Sequence, residues 1–124
     1  MTLLIPISLP PLILRNNSSN GRSWMKRKAR QAQRAEAADA ARCVMSLAGI
    51  TTPPKWKAAR YHLTAYTFRQ WDEDNLIASL KGAFDGLVDA GLLSDDRHLK
   101  ISGSSWVKTK TTIECKIILE VTLS

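Results

Sequence analysis

Seven carboxylates, Asp72, Glu73, Asp74, Asp85, Asp89, Asp95 and Asp96, crowd one stretch of this chain, and the base among them is Lys81. The chain as a whole leans the other way, with 18 Lys and Arg against 11 Asp and Glu and a net charge of +7. Such a surface attracts polyanions, yet carboxylates repel phosphate. A divalent cation reconciles the two, because it neutralises carboxylates and bridges them to a phosphate oxygen. Asp72 and Asp74 stand two apart at the end of an expected strand, so in extended chain they point the same way. Asp96 follows the next helix, where the chain is expected to return beside that pair. Lys81 lies seven residues beyond Asp74, about 700° of helix, nearly on the face of the helix start. Asp85, four residues on, is placed to hold it.

The same residues fit plainer roles. Asp72, Glu73, Asp74 and Asn75 also make an acidic helix cap, worth about 0.5–2 kcal/mol. Asp95-Asp96 is a common turn pair, and Lys81, Asp85 and Asp89 suit a solvated surface. His62 and His98 lack partners at metal-ligand spacing. There is no glycine-rich phosphate loop, and Ser, His and Cys residues form no nucleophile set.

The positive charge is concentrated. Residues 1–63 hold 11 Lys and Arg against 2 acids, and residues 64–124 hold 7 against 9, so the halves carry +9 and −2. Lys26, Arg27, Lys28, Arg30 and Arg34 fall in the first turns of an expected helix, beside Arg22. Cations there oppose the positive end of the helix dipole. Either solvation or a phosphate-facing patch accounts for them, and their density favours phosphate. Arg69 sits just before the acids. Trp71 suits either stacking on an unpaired base or packing on the following helix.

These residues need elements to position them. Leu3 to Leu9 reads as a strand ended by Pro10-Pro11. Asn16 to Arg22 is a polar loop. A helix runs from about Trp24 to Ala48, stopped by Gly49, with Met25, Ala29, Ala32, Val44 and Leu47 on one stripe. Trp56 to Phe68 reads as a strand, and Asn75 to Ala90 as a helix that buries Leu76, Ile77, Leu80, Ala83, Phe84, Leu87 and Val88 and ends at Gly91. Leu99 to Val107 is the next strand. In the last, from Ile113 to Leu123, apolar and polar residues alternate. The order β-α-β-α-β-β implies an α/β (α+β) fold, one domain over 1–124, with a mixed sheet of about four strands and two helices.

The length of 124 residues suits one domain, and 44% apolar with 23% charged residues is an ordinary globular balance. Cys43 and Cys115 fit no zinc spacing and read as buried, reduced thiols, which suits a cytoplasmic protein. The apolar run Thr2 to Leu14 lacks a basic leader, is broken by Pro6, Pro10 and Pro11, and is too short to span a bilayer. No membrane partner is expected.

Together these residues resemble the RusA family of Holliday-junction resolvases, small endonucleases of bacteria and their phages. The likeness rests on Asp72-Glu-Asp-Asn-Leu76, then Lys81-Gly-Ala-Phe-Asp85-Gly-Leu87, then Asp89-Ala-Gly-Leu-Leu-Ser-Asp-Asp96. These are similar in order and context to the family's D-x-D-N-L, K-x-x-x-D and A-G-x-x-x-D-D pattern. Pro10-Pro11 followed by Asn16 and Asn17, and the closing pair of strands, are fainter echoes. The gap between Asn75 and Lys81 is longer than in the best-known member. The resemblance implies a homodimer, in a bacterial cell or encoded by a phage or prophage, that binds four-way junction DNA and makes paired symmetrical nicks using Mg2+, with Mn2+ as a substitute. It implies that Asp72, Asp74 and Asp96 bind the metal and that Lys81 is the essential lysine. Arg22, Lys26, Arg27, Lys28, Arg30, Arg34 and Arg69 would then guide the junction arms. Leu3 to Leu14 is a candidate dimer interface, or else an internal edge strand. Two other readings remain: a non-catalytic nucleic-acid-binding protein, and a Mg2+-dependent nuclease for flaps or forks.

Overall fold

Alternation of apolar residues builds the sheet. In the computed structural model, which describes residues 1–15 and 23–124, β1 (Thr2–Ile7) buries Leu3, Ile5 and Ile7 and exposes the residues between them. Asn16, Asn17 and Arg22 lie outside the described residues. β2 (Ala59–Thr67), β3 (Leu99–Lys108) and β4 (Lys116–Leu123) complete one mixed sheet in the order β1-β4-β2-β3. β2 and β3 are parallel, and the other two pairings are antiparallel. The segment from Leu3 is thus an internal edge strand, where Pro6 is tolerated because one side needs no donor. A short helix, α1 (Leu12–Arg15), follows it.

The basic helix is α2 (Ser23–Leu47), stopped at Gly49, whose φ of 79° is left-handed. Its buried stripe is Gln33, Ala37, Ala38, Ala41 and Met45 rather than the expected one. Leu47 is 84% exposed, Ala32 is exposed, and Met25, Ala29 and Val44 are half-buried. A neighbouring helix decides this. The expected helix from Asn75 to Ala90 is two, α3 (Glu73–Ser79) and α4 (Lys81–Asp89), broken at Leu80. Gly82 and Gly86 of α4 face α2 at very close range. A Cβ on Gly86 would collide with the Arg34 carbonyl oxygen and lie 2.9 Å from Ala37 Cβ and 3.0 Å from Ala38 N. A Cβ on Gly82 would lie 2.8 Å from the Arg30 carbonyl oxygen. Alanines must meet these glycines, so the alanine face of α2 turns inward.

The break at Leu80 has local causes. Ser79 Oγ donates to the Leu76 carbonyl at 2.6 Å, competing with the helix ladder. Gln33 Nε2 of α2 donates to the Ser79 carbonyl at 2.9 Å. Leu80 itself is fully buried among Leu63, Leu87, Leu92 and Leu119, in a core shared by the helices and one face of the sheet. Burying that side chain outweighs one uninterrupted helical turn.

Other boundaries shift modestly. Trp56 stands apart from β2 and bridges Leu93 instead, donating its N–H to the Leu92 carbonyl at 2.8 Å. β4 starts at Lys116, so Ile113, 93% exposed, sits in the turn before it. Cys43 is exposed and Cys115 half-buried, both as free thiols, so neither is the fully buried group expected. No described helix is long and apolar enough to cross a membrane.

Replacing Gly86 with Ala should destabilise the protein by about 1–3 kcal/mol through overpacking. In an uncrowded helix the same change is favourable by about 1 kcal/mol. Urea unfolding of Gly86→Ala distinguishes the signs, and a stabilised variant would mean that the two helices are not in close contact.

Candidate functional site

A parallel β2–β3 pair requires a crossover, and α3 with α4 supplies it. The chain therefore leaves β2 at the carboxyl end of the pair, where Arg69 to Asp74 lie. It enters β3 at the amino end, through a 3-10 turn over Asp96–His98. Asp96 does not return beside Asp72 and Asp74, contrary to the expectation from spacing. Among the described residues, no group of three or more His, Cys, Asp or Glu stands where it could hold a metal ion.

The acids instead form two groups. At the carboxyl end, Asp72 is the N-cap of α3. Its Oδ1 accepts from the backbone N–H of Asp74 at 2.9 Å and of Asn75 at 3.3 Å. This is the plainer capping role weighed from sequence. Glu73 Oε2 accepts from Ser104 Oγ at 2.7 Å, tying the start of α3 to β3. Asp74 is exposed.

The second group lies where α4 meets the 3-10 turn. Asp95 accepts from the Arg97 backbone N–H and from Arg97 Nε, both at 2.9 Å, which holds its carboxyl well below the usual range. Asp96 is pushed the other way, first by its hydrogen bond with Asp95, then by burial and by the charges of Asp85 and Asp95, with Lys81 opposing. Lys81, Asp85, Asp95 and Asp96 are thus within electrostatic reach, although no ion pair joins Lys81 to Asp85 among the described residues. Sequence spacing linked Lys81 to Asp74; the fold links it to Asp96.

For Mg2+ this donor chemistry fits in part. Magnesium takes hard oxygen ligands and is commonly held by one or two carboxylates, with water and phosphate completing its shell. The three-aspartate set does not fit, being divided between the ends of the crossover. Asp72 and Asp74 do not share one side of an extended chain, being the N-cap and second residue of α3. Oδ2 of Asp72 is nevertheless clear of the cap bonds and Asp74 is exposed, so each could serve as a single such ligand.

The cations are divided too. Arg27, Lys28 and Arg30 are exposed on α2, and Lys26 is half-buried. Arg34 is committed elsewhere: Nε and Nη2 make a bidentate pair with Asp89, the second bond at 2.7 Å. That pair raises the arginine and lowers the Asp89 carboxyl below its usual range. Arg69 is exposed, with its carbonyl accepting from Thr67 Oγ1 at 2.7 Å. A further basic feature escaped the sequence reading. Lys108, Lys110 and Lys116, with Tyr66, Val107, Thr109 and one carboxylate, Glu114, line an open groove of about 530 Å³. Lys116 lies over the Tyr66 ring at 5.2 Å and Lys108 over Phe68 at 5.9 Å. The signal was Lys108-Thr-Lys110 at a strand end, weak beside the density of α2.

No family model and no curated protein sequence matches the chain. A solved cyanuric acid hydrolase is similar over 99% of this chain, at 15% identity and a TM-score of 0.44. The chain spans 37% of that structure's length. A likeness at this level bears on neither activity nor ligand.

The Asp96 carboxyl, raised in the folded chain, favours the fold while protonated, below the ordinary carboxylate range. That contribution is lost as pH rises through its folded value. Asp85→Asn should move the Asp96 titration down and Lys81→Met should move it up, because one removes a repelling charge and the other an attracting one. Carboxyl carbon NMR reads both; equal midpoints in all three proteins would separate Asp96 from these neighbours.

Proposed function

We propose that the chain is a Mg2+-dependent, structure-specific endodeoxyribonuclease that works as a homodimer and resolves four-way DNA junctions by paired nicks, in recombination and repair. The observation that carries this reading is the company at one end of the sheet. Arg69, the acids Asp72 and Asp74 and the groove of Lys108 and Lys110 all follow the carboxyl ends of the parallel strands in the chain, with Glu73 reaching back to Ser104. In α/β sheets that end is where ligands bind. Cations for phosphate beside carboxylates for a hard metal is what phosphodiester hydrolysis requires. The likeness to the RusA pattern supports the junction as substrate and the bacterial or phage setting.

Asp72 and Asp74 are the residues that would hold Mg2+. When bound at such acids, the ion activates water and neutralises phosphate charge. Arg69 and the groove lysines bind the DNA backbone and set its register. Lys81 stabilises charge on the scissile phosphate by the RusA likeness alone, since the fold sets it with Asp96 rather than with Asp72 and Asp74. Asp96, beside Lys81, keeps that ammonium oriented. Arg27, Lys28 and Arg30, with Lys26, guide a junction arm. Two opposed cuts need two copies of the site, which a two-fold dimer supplies.

A non-catalytic nucleic-acid-binding protein is the second reading, favoured by the capping bonds of Asp72 and by the separation of Asp96. Cleavage of a mobile four-way junction, a fork, a flap and a linear duplex, each with and without Mg2+, separates the readings. The endonuclease reading expects Mg2+-dependent nicks in the junction, abolished in Asp74→Asn and Asp72→Asn while binding persists. Binding without cleavage in the unaltered protein selects the second reading. Replacing Lys26, Arg27 and Lys28 by Ala should flatten the slope of log K on log salt by up to about 2.7, or about 0.9 for each phosphate no longer neutralised. An unchanged slope would mean that these side chains face only solvent.

A further inference from the structure

A cleft of about 160 Å³ opens between the start of α3 and the edge strand β3. Leu63 and Leu76, both buried, line its apolar part, and the rings of Trp71 and Trp106 line it too. Gln70 and Ser104 bring polar groups to it. The cleft is far smaller than the roughly 300–1,000 Å³ of ordinary small-molecule sites, so it suits one flat ring rather than a whole cofactor.

Its parts are held in place. Trp106 Nε1 donates to Thr67 Oγ1 at 2.8 Å, and Thr67 Oγ1 donates in turn to the Arg69 carbonyl at 2.7 Å. With its N–H satisfied inside the protein, Trp106 still leaves 40% of its surface exposed. The Ser104–Glu73 hydrogen bond at 2.7 Å fixes β3 against α3 and so sets the width of the opening. Glu73 also places a carboxylate beside the cleft, which disfavours phosphate there. By strand alternation Trp106 shares the helix-side face with Ala65, whereas Val107, Tyr66 and Lys116 of the lysine groove turn to the other face, and Lys108 closes β3 between the two. Phosphate is thus attracted to the end of β3, around the sheet edge from a ring-sized cleft that itself discourages phosphate.

We infer that the cleft between Trp71 and Trp106 holds one unstacked nucleobase of single-stranded or locally opened DNA, while Lys108, at the end of the same strand, holds its backbone. The inference rests on the nucleic-acid part of the proposed function and not on hydrolysis. The indole rings supply stacking surface, which is tolerant of base identity, and Gln70 offers both a donor and an acceptor to a base edge. The site would set where on a strand the protein prefers to sit.

The test uses the full chain in EDTA, with a single-stranded oligonucleotide carrying 5-iodouracil as the probe. After irradiation and trypsin, Trp71 lies on the peptide 70–81 and Trp106 on the peptide 101–108, so mass spectrometry separates them from every other tryptophan. Adducts on either peptide are the expected result, and adducts confined to other segments overturn the inference. Affinity gives a second measurement. Trp106→Ala should weaken binding of the single strand about tenfold or more while Trp106→Phe keeps it. Equal affinities of the unaltered protein and a folded Trp106→Ala would also overturn it. Because no cleavage is involved, a chain that crosslinks here but never cuts DNA sinks only the endonuclease. One that cuts with no adduct here sinks only the base site.

Discussion

The near contact of two helix backbones governs much of this structure. Gly82 and Gly86 let α4 approach α2 so closely that a methyl group at either position meets a carbonyl oxygen of α2. The residues opposite Gly86 must be small, and Ala37 and Ala38 supply them. This fixes the rotation of α2 about its axis and so decides which of its side chains stay outside. Arg27, Lys28 and Arg30 are left exposed because the inward stripe falls between them. Arg34, on the flank of the contact, reaches across to Asp89 of α4 and closes its edge. A helix pair set by glycine and alanine thus also sets the charge that the surface presents.

The same contact positions the crossover. Gln33, one turn from the glycine seam, takes the Ser79 carbonyl where α3 ends, and its own Oε1 accepts no hydrogen bond among the described residues. A buried amide with one unused acceptor costs free energy on the order of 1–3 kcal/mol. The fold bears that cost where the chain is redirected at Leu80, between α3 and α4. The result is a long parallel crossover with acids at both ends and Lys81 near its middle. Spacing in sequence cannot reveal this separation, because it does not say whether the strands on either side run parallel or antiparallel.

That boundary between legible and illegible recurs. The alternation of Ile117, Leu119 and Val121 gave the central strand directly, since a half-buried strand needs no partner to declare its period. The extent of α2 was equally clear, because Gly49 stops a helix by its own backbone geometry. The face of α2 was not, for it depends on a glycine seam in another helix. The break at Leu80 required Gln33, and the lysine groove required the turn that brings Lys116 back beside Lys108. Asp72 was read both as a metal ligand and as a cap, and the cap is what the structure displays. Local periodicity and turn chemistry were in the sequence, whereas strand direction and helix rotation belong to long-range packing.

The two readings of Asp72 are less opposed than they look. A cap uses the oxygen lone pairs on one side of a carboxylate, and both backbone donors here bind Oδ1. A cation at the other oxygen would leave the cap intact, and the partial positive charge of the helix start would only weaken such binding modestly, by about 0.3–1 kcal/mol. Asparagine caps a helix about as well as aspartate does. Removing charge at Asp72 with Asn therefore keeps α3 in place and leaves the electrostatic role exposed, whereas Ala would confound the two by loosening the helix. Asp74 has no capping bond of its own to lose, so its carboxylate reports on charge alone. The pair would separate structure from chemistry at a place where one residue is proposed to serve both.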